Sequence, residues 1–487
     1  MMRTRTGFLV TLSLVALLAG LFFPASTQAA GAPVEGDRRQ LIERFIDAFN
    51  SGDAGRMLSF YETGATETFR ARRSDQEDRV LYQRLWGDLG QLSHPKISSV
   101  GSDSIRLTAR TSRGDNVTFV MRVSADAPPR IQGFSVNIGG PSPGGNNPLP
   151  PIEVPEGATP AQLRTSVDGY LRHLADEGLF SGAVLVSRGD DILLDGGYGL
   201  ANREDRIPNT KDTRFDIGSI TKEMTKAAIG QLARDGKLSL DDRLIDVLPD
   251  YPNRRIAKKI TLAQLLNHSS GLGDLFTQRF ANTPKDRMQK PTDFFPVFAD
   301  EPLLFKPGSG RSYSNAGYVV LGAVVAKVSG MPYADYMQKH IFDPAGMADS
   351  GFLLRDGSAP ELAIGYTRHI PGSGGLQRNL DLLPIRGCPA GSSSHTAADL
   401  MRFDRAVRNG TLLGPGWTEW FFTGDVPAAG DLEQAVTYAG QEIAIAGGAQ
   451  GVDALMTSGG QGAMIVLANQ DAPISGHVLG RVRQVFQ

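Results

Sequence analysis

Ser219 and Lys222 stand three residues apart in Phe215-Asp216-Ile217-Gly218-Ser219-Ile220-Thr221-Lys222, and helix-forming sequence runs on through Lys226 to Leu232. At that spacing both side chains lie on one helical face. Ser219 is placed in the first turn, where unpaired backbone N–H groups and the helix dipole favour developing negative charge. A serine alone is a weak nucleophile, but a neighbouring neutral amine can take its proton. Ser-x-x-Lys serves acyl transfer on that logic. The pattern also arises by chance, and a serine at a helix start is ordinarily an N-cap. The weight therefore falls on the residues that accompany it.

The 487 residues suffice for two or three domains with a large core. Charged residues at 21% and hydrophobic residues at 41% place the chain among globular proteins. A formal net charge of −2 and the lack of a basic stripe give no sign of a nucleic-acid partner. Cys388 is the single cysteine, so an intrachain disulfide is excluded, and its apolar setting reads as packing rather than nucleophilicity. No His-Glu-x-x-His pair, Cys/His zinc spacing, Gly-x-Ser-x-Gly elbow or phosphate loop is present. No metal or cofactor is implied.

Residues 1–30 read as an export signal. Arg3 and Arg5 precede an apolar run from Phe8 to Phe23, Pro24 breaks it, and small residues follow through Ala30. The run is short for a span and lacks a basic stop, so a periplasmic or secreted protein with no stable membrane span is expected.

Residues 35–138 read as a small α+β domain. Leu41, Ile42, Phe45, Ile46 and Phe49 recur at helical spacing, and Asn50-Ser51-Gly52-Asp53 ends one helix and caps the next. Val117, Phe119, Met121 and Val123 alternate as in a strand, as do Phe134, Val136 and Ile138. The opening LIERFIDAFNSGDAGRMLSFY resembles the nuclear-transport-factor-type (SnoaL-like) cone fold. Phe60, Tyr82 and Trp86 could line its cup, though core packing explains them better. That fold hosts many functions, so an accessory role is expected. Residues 139–160, rich in proline and glycine, read as a linker.

Residues 161–487 read as one domain. A helix is expected over 163–177, strands over 180–187 and 192–194, and the Ser219 helix ends near Gly236. Residues 260–272, 318–329 and 392–410 are further helices, 452–457 and 463–468 flank a turn as strands, and 476–486 is a last helix. The irregular stretches 273–300 and 366–391 suit cleft walls. Within this region FDIGSITK, ITLAQLLNHSSGL, FKPGSGRSYSNAGYVVLGAVV, IFDPAGMADSGF and GSSSHTAADLMRF occur in the order of the serine β-lactamase-related hydrolases. These comprise class C β-lactamases, low-molecular-weight penicillin-binding proteins and similar esterases. The resemblance covers about residues 165 to 487. It implies an α+β (mixed α/β) fold, an antiparallel sheet flanked by helices.

The resemblance assigns further roles. Tyr313-Ser314-Asn315 takes the place of the family's Tyr-x-Asn motif, with the Tyr313 phenol relaying a proton near Lys222 and Asn315 holding Lys222 and a substrate carbonyl. The family's third motif, Lys-Thr-Gly or His-x-Gly, aligns with Ile445-Ala446-Gly447, where Ile445 supplies neither charge nor hydrogen bond. The following N–H, that of Gly448, would form the oxyanion hole with that of Ser219, a role needing only backbone. His268 is read as packing beneath the site and His395 as capping or preceding a helix. The expected function is an exported serine hydrolase acting through an acyl-enzyme on a small ester, amide or peptide-like substrate, esterase-like because the cationic anchor is missing. The alternatives are a penicillin-interactive D,D-peptidase or β-lactamase, and a catalytically silent binding module on the same fold.

Overall fold

The computed structural model describes residues 36–487, apart from positions within 71–88, 101–102, 113–115, 139–146, 357–360, 369–374, 425–441 and residue 487. The proposed signal and part of the proposed linker lie outside the described residues. The chain divides into two compact units, with the division at Pro150/Pro151; the larger holds Pro151–Leu303 and Tyr313–Gln487.

In the smaller unit, helices α1 (Asp37–Asn50) and α2 (Ala54–Gly64) accompany a four-stranded antiparallel meander, β1 (Leu92–Val100), β2 (Ser104–Thr111), β3 (Asn116–Val123) and β4 (Ile131–Ile138). The Asp53 carboxylate caps α2 by accepting from the N–H of Gly55. The alternating Val117, Phe119, Met121 and Val123 turn one strand face into a core with Leu41, Ile42 and Phe45. Phe60 packs edge-on to Phe45 at 5.8 Å, and the Tyr82 hydroxyl donates to the carbonyl of Phe49 at 2.8 Å. These rings are core rather than the lining of a cup.

The larger unit is built on a five-stranded antiparallel sheet. After α3 (Pro160–Asp176), which opens with a Thr159/Gln162 capping box, come β5 (Gly182–Arg188) and β6 (Asp191–Tyr198). A short strand, β7 (Phe215–Asp216), leads through a 3-10 turn at Gly218–Ile220 into α4 (Thr221–Arg234). The buried, apolar α5 (Asn315–Ser329) packs against α4. A two-residue strand β8 (Ser394–His395) pairs with β7, and α6 (Ala397–Arg408) and α7 (Pro415–Thr423) follow. The chain closes with β9 (Ile443–Ala449), β10 (Val452–Gly459), β11 (Gly462–Ala468) and α8 (Ile474–Phe486), the sheet order being β9-β10-β11-β5-β6.

Period-two alternation divides this sheet between two faces. Ala183, Leu185, Ala454, Met456, Ile465 and Leu467 join the core that α4, α5 and α6 fill, while Val184, Val186 and Val466 alternate to the other side, where α8 and α3 pack. The expected fold is thus the observed one, with local corrections. Ser219 sits in a 3-10 turn just ahead of the α-helix, because Gly218 with φ of 51° delays the helical path. The helix expected from residue 392 begins at Ala397, capped by Thr396, because Ser394 and His395 are drawn into pairing with Phe215 and Asp216. Residues 273–300 hold short helical pieces, Gln278–Asn282 and Phe295–Phe298. Among the described residues no single helix is long and apolar enough to cross a membrane.

His395 precedes α6 and is wholly buried; burial, aided by the nearby charge of Arg214, pushes its pKa down to about 3. A base depressed in the folded state is protonated first in the unfolded chain. Its contribution is therefore complete above about pH 6.5 and is lost as pH falls through that value toward 3. In urea titrations between pH 6.5 and 4, His395→Asn is expected to flatten the loss of stability by up to about 1.4 kcal/mol per pH unit relative to the parent chain.

Candidate active site

Three separated segments meet at the start of α4. The Lys222 ammonium nitrogen lies 3.0 Å from Ser219 Oγ, 2.8 Å from Asn315 Oδ1, and also on the carbonyl oxygen of Ala390. These three acceptors match the three hydrogens an ammonium donates. The rings of Tyr313 and Tyr318 lie 4.8 and 5.6 Å from the same nitrogen. Tyr313 donates its hydroxyl to Ser219 Oγ at 2.7 Å. Ser219, Lys222, Tyr313 and Asn315 are all buried. The structure thus brings together every polar side chain singled out from the sequence.

Local capping explains how the second segment arrives. Ser314 is the N-cap of α5: its hydroxyl oxygen accepts from the N–H of Gly317 at 2.9 Å and donates to the carbonyl of Gly273 at 2.7 Å. Tyr313 and Asn315 then flank the cap and face Ser219. The Asn315 amide donates to Asp274 at 2.8 Å, which leaves its oxygen for Lys222 and fixes the orientation of the group. His268 stacks on Tyr313 with ring centres 4.6 Å apart, and its Nδ1 accepts from the N–H of Ser314 at 3.1 Å. The expected role beneath the site is the one it has.

The turn carrying Ser219 is held from below. Asp216 accepts from the N–H of Gly218 at 2.8 Å with one carboxylate oxygen and from Arg355 at 2.6 Å with the other. Arg355 also donates to the carbonyl of Ser392. Both charges are nearly sealed from water, a setting in which losing one partner is costly. Asp216, Arg355 and Asp274 carry no site role in the sequence reading above. An Asx turn at Asp216-Ile217-Gly218 was legible from spacing alone; Arg355, 139 positions away, left no local signal.

Strand β9 passes the serine turn backbone against backbone. A Cβ on Gly447 would lie 2.0 Å from the carbonyl oxygen of Ile217 and 2.8 Å from the nitrogen of Ser219. A Cβ on Gly218 would lie 2.5 Å from the nitrogen of Gly448. The nitrogens of Ser219 and Gly448 are therefore close neighbours across this contact, and both residues line the cleft. Ile445, two positions before Gly447 on the same strand face, is buried in the apolar core.

The cleft holds about 430 Å³ of space opening to solvent, with Leu275, Phe276, Leu383, Pro384 and Ala449 forming apolar walls. Those walls come from 273–300, 366–391 and the end of β9. Cys388 also lines it, but burial pushes its thiol pKa up, which suppresses the thiolate. Among the described residues no group of three or more side chains could hold a metal ion.

The family model described as Beta-lactamase matches residues 167–475. Esterase EstB of Burkholderia gladioli is 31% identical over 329 residues, 56% of this chain and 83% of that protein. A penicillin-binding protein of Bacillus subtilis (strain 168) is 31% identical over 263 residues, 51% of this chain. The chain spans only 57% of that protein's length, and 61% of a second Bacillus subtilis relative. The crystal structure of the penicillin-binding protein from Bacillus halodurans aligns with a TM-score of 0.57 and 31% identity, over 65% of this chain and 100% of the other. A D-amino acid amidase from Ochrobactrum anthropi shares the fold at 23% identity and a TM-score of 0.53, over 66% and 98% of the two chains. With most of the larger unit matched and penicillin-binding proteins and an esterase among its relatives, this chain belongs to the Beta-lactamase family.

Proposed function

We propose that this chain is a serine hydrolase acting through an acyl-enzyme, esterase-like in its substrate. The observation that carries the reading is the contact of Ser219 Oγ with both Lys222 Nζ at 3.0 Å and the Tyr313 hydroxyl at 2.7 Å. The serine is thereby within one proton hop of the Tyr313 oxygen, which can take its hydrogen once the phenol is ionised, with the Lys222 charge beside both oxygens. With Lys222 holding three acceptors as an ammonium, its charge favours the ionised form of Tyr313: the phenol gives its proton to solvent before attack, and the phenolate oxygen then receives the Ser219 proton as Oγ attacks. The Ser219 and Gly448 N–H groups receive the carbonyl oxygen as it becomes an oxyanion. Tyr313 returns the proton to the departing alcohol or amine, and water then releases the acid along the same route. Such acid–base relay contributes about 10²- to 10⁴-fold.

The ester preference rests on the strand opposite. Where a peptidase or β-lactamase would use a cation to hold a substrate carboxylate, Ile445 is packed into the core. The apolar walls suit an uncharged acyl group. The esterase relative, matched over 83% of its length, favours the same reading. A penicillin-interactive enzyme is the second reading, favoured by the penicillin-binding relatives. The silent-module alternative is disfavoured by the intact Ser219, Lys222 and Tyr313 contacts.

Export and an accessory role for the smaller unit belong to the same proposal. They are supported by the composition of residues 1–30 and by the helices and meander that fit the cone-fold resemblance. N-terminal sequencing of the protein recovered from expressing bacteria is expected to begin near Ala30; a retained Met1 would refute cleavage of the signal.

Short p-nitrophenyl esters are expected to be hydrolysed. Ser219→Ala should lower kcat by at least about 10³-fold, and Tyr313→Phe by about 10²- to 10⁴-fold. A fluorophosphonate should map to Ser219 by mass spectrometry, while a labelled penicillin leaves no stable adduct. Stable penicillin labelling would favour the second reading, and esterase activity surviving Ser219→Ala would sink both.

Gly447→Ala must push β9 off the serine turn. It is expected to cost about 10²-fold or more in kcat, the scale of a displaced oxyanion donor, with thermal unfolding measured beside it to separate lost alignment from lost folding.

A further inference from the structure

A line of buried side chains runs from α6 to the peptide group just ahead of Ser219. It begins at Asp399, whose carboxylate accepts from the N–H of Asp349 and the Ser350 hydroxyl, each at 2.8 Å, and pairs with Arg402 at 2.5 Å. Ser350 Oγ lies 2.7 Å from His395 Nδ1, and His395 Nε2 lies 2.7 Å from Ser393 Oγ. Ser393 Oγ is 2.8 Å from Thr221 Oγ1, which is in turn 2.9 Å from the carbonyl oxygen of Gly218. The N–H of Ser393 also donates to Thr221 Oγ1 at 3.1 Å.

The directions follow from Asp399. A carboxylate beside an arginine can only accept, so Ser350 gives it a hydrogen and must accept from His395 Nδ1–H. The neutral ring then presents a bare Nε2, which takes the hydrogen of Ser393. Thr221 has one hydrogen and faces two acceptors, Ser393 Oγ and Gly218 O. The line has one more contact than it has hydrogens, and Thr221 is where the shortage falls.

The carbonyl of Gly218 and the N–H of Ser219 belong to one peptide group. A hydrogen bond donated to that oxygen polarises the amide and makes its N–H a stronger donor. The N–H of Ser392 already donates to the same oxygen at 3.1 Å. We propose that Thr221 is a positioning residue of the acyl-transfer site, and that the His395–Ser393 pair sets how much of its hydrogen reaches the Gly218 carbonyl, thereby tuning the Ser219 N–H as an oxyanion donor. This rests on the hydrolase reading given above. It has a consequence that simple packing lacks: Thr221→Val strips the donor from Gly218, whereas Ser393→Ala removes the competing acceptor, so the two shift the oxyanion hole in opposite directions.

The test uses the full chain and its Thr221→Val, Thr221→Ser and Ser393→Ala variants, acylated by a ¹³C-carbonyl p-nitrophenyl ester. Read-outs are the acyl-enzyme carbonyl stretch by isotope-difference infrared spectroscopy, kcat and KM, and the thermal midpoint. Thr221→Val is expected to raise the stretch and lower kcat about 3- to 10-fold with KM unchanged, a fraction of the effect of losing a whole donor. Thr221→Ser should restore both. Ser393→Ala should lower the stretch and raise kcat about twofold. If Thr221→Val does not fold, the direction of the Ser393→Ala shift decides. An unchanged stretch, or the same direction of shift in both variants, overturns the proposal while leaving the hydrolase intact. A parent chain that forms no acyl-enzyme overturns the hydrolase reading and this proposal with it.

Discussion

The site depends on sealing one amine from water. Lys222 is buried beneath Ser219, and an ammonium in such a place costs roughly several kcal/mol unless its hydrogens all find acceptors. The acceptors come from three places: the 3-10 turn just ahead of its own helix, the first residue of α5, and the loop ahead of β8. Each must be delivered within hydrogen-bond reach at once. Much of the larger unit can be understood as the means of delivery. The Ser314 cap fixes Asn315, Asp274 orients its amide, and the tight turn with Cys388 and Gly391 exchanging backbone hydrogen bonds presents the Ala390 carbonyl.

A second constraint is the distance between two backbones. The serine turn and β9 touch without intervening side chains, and that contact places the nitrogens of Ser219 and Gly448 beside one another. It works only with glycine at 447 and with Gly218 in a left-handed conformation, which the Asp216 carboxylate secures by accepting its N–H. The buried Arg355 holds that carboxylate in turn. This contact between the serine turn and β9 is thus a backbone feature, indifferent to the identity of residue 445. This explains how the strand can carry Ile445 in place of a cation and keep its geometry.

Charge in the larger unit is distributed accordingly. The Arg355–Asp216 pair and the Asp399 line lie behind the turn, the ammonium lies under Ser219, and the walls of the cleft are apolar. Polar groups organise the peptide that bears Ser219, while the space left for a substrate offers mostly surface for an uncharged group.

Ser219 and Lys222 were legible from their three-residue spacing, whereas Tyr313 and Asn315 were reached only through the resemblance of Tyr313-Ser314-Asn315 to a family motif; the N-cap they flank became visible in the structure. Strand alternation likewise revealed the sheet. Three-residue spacing cannot tell a 3-10 turn from a first helical turn, so Ser219 was placed one turn too deep in the helix. The pairing of Ser394 and His395 with β7 was hidden because a two-residue strand has no periodicity of its own.

By itself, then, the sequence determined which side chains carry acid–base character and which local elements present them, since capping, helical period and glycine freedom act over a few residues. Only the tertiary structure decided that the Ala390 carbonyl completes the ammonium's shell, that Arg355 braces the turn carrying Ser219, and that a line from Asp399 ends on the peptide of Ser219. Those contacts join positions far apart in the chain, and hydrogen bonds at 3 Å depend on a packing that no short stretch of sequence encodes.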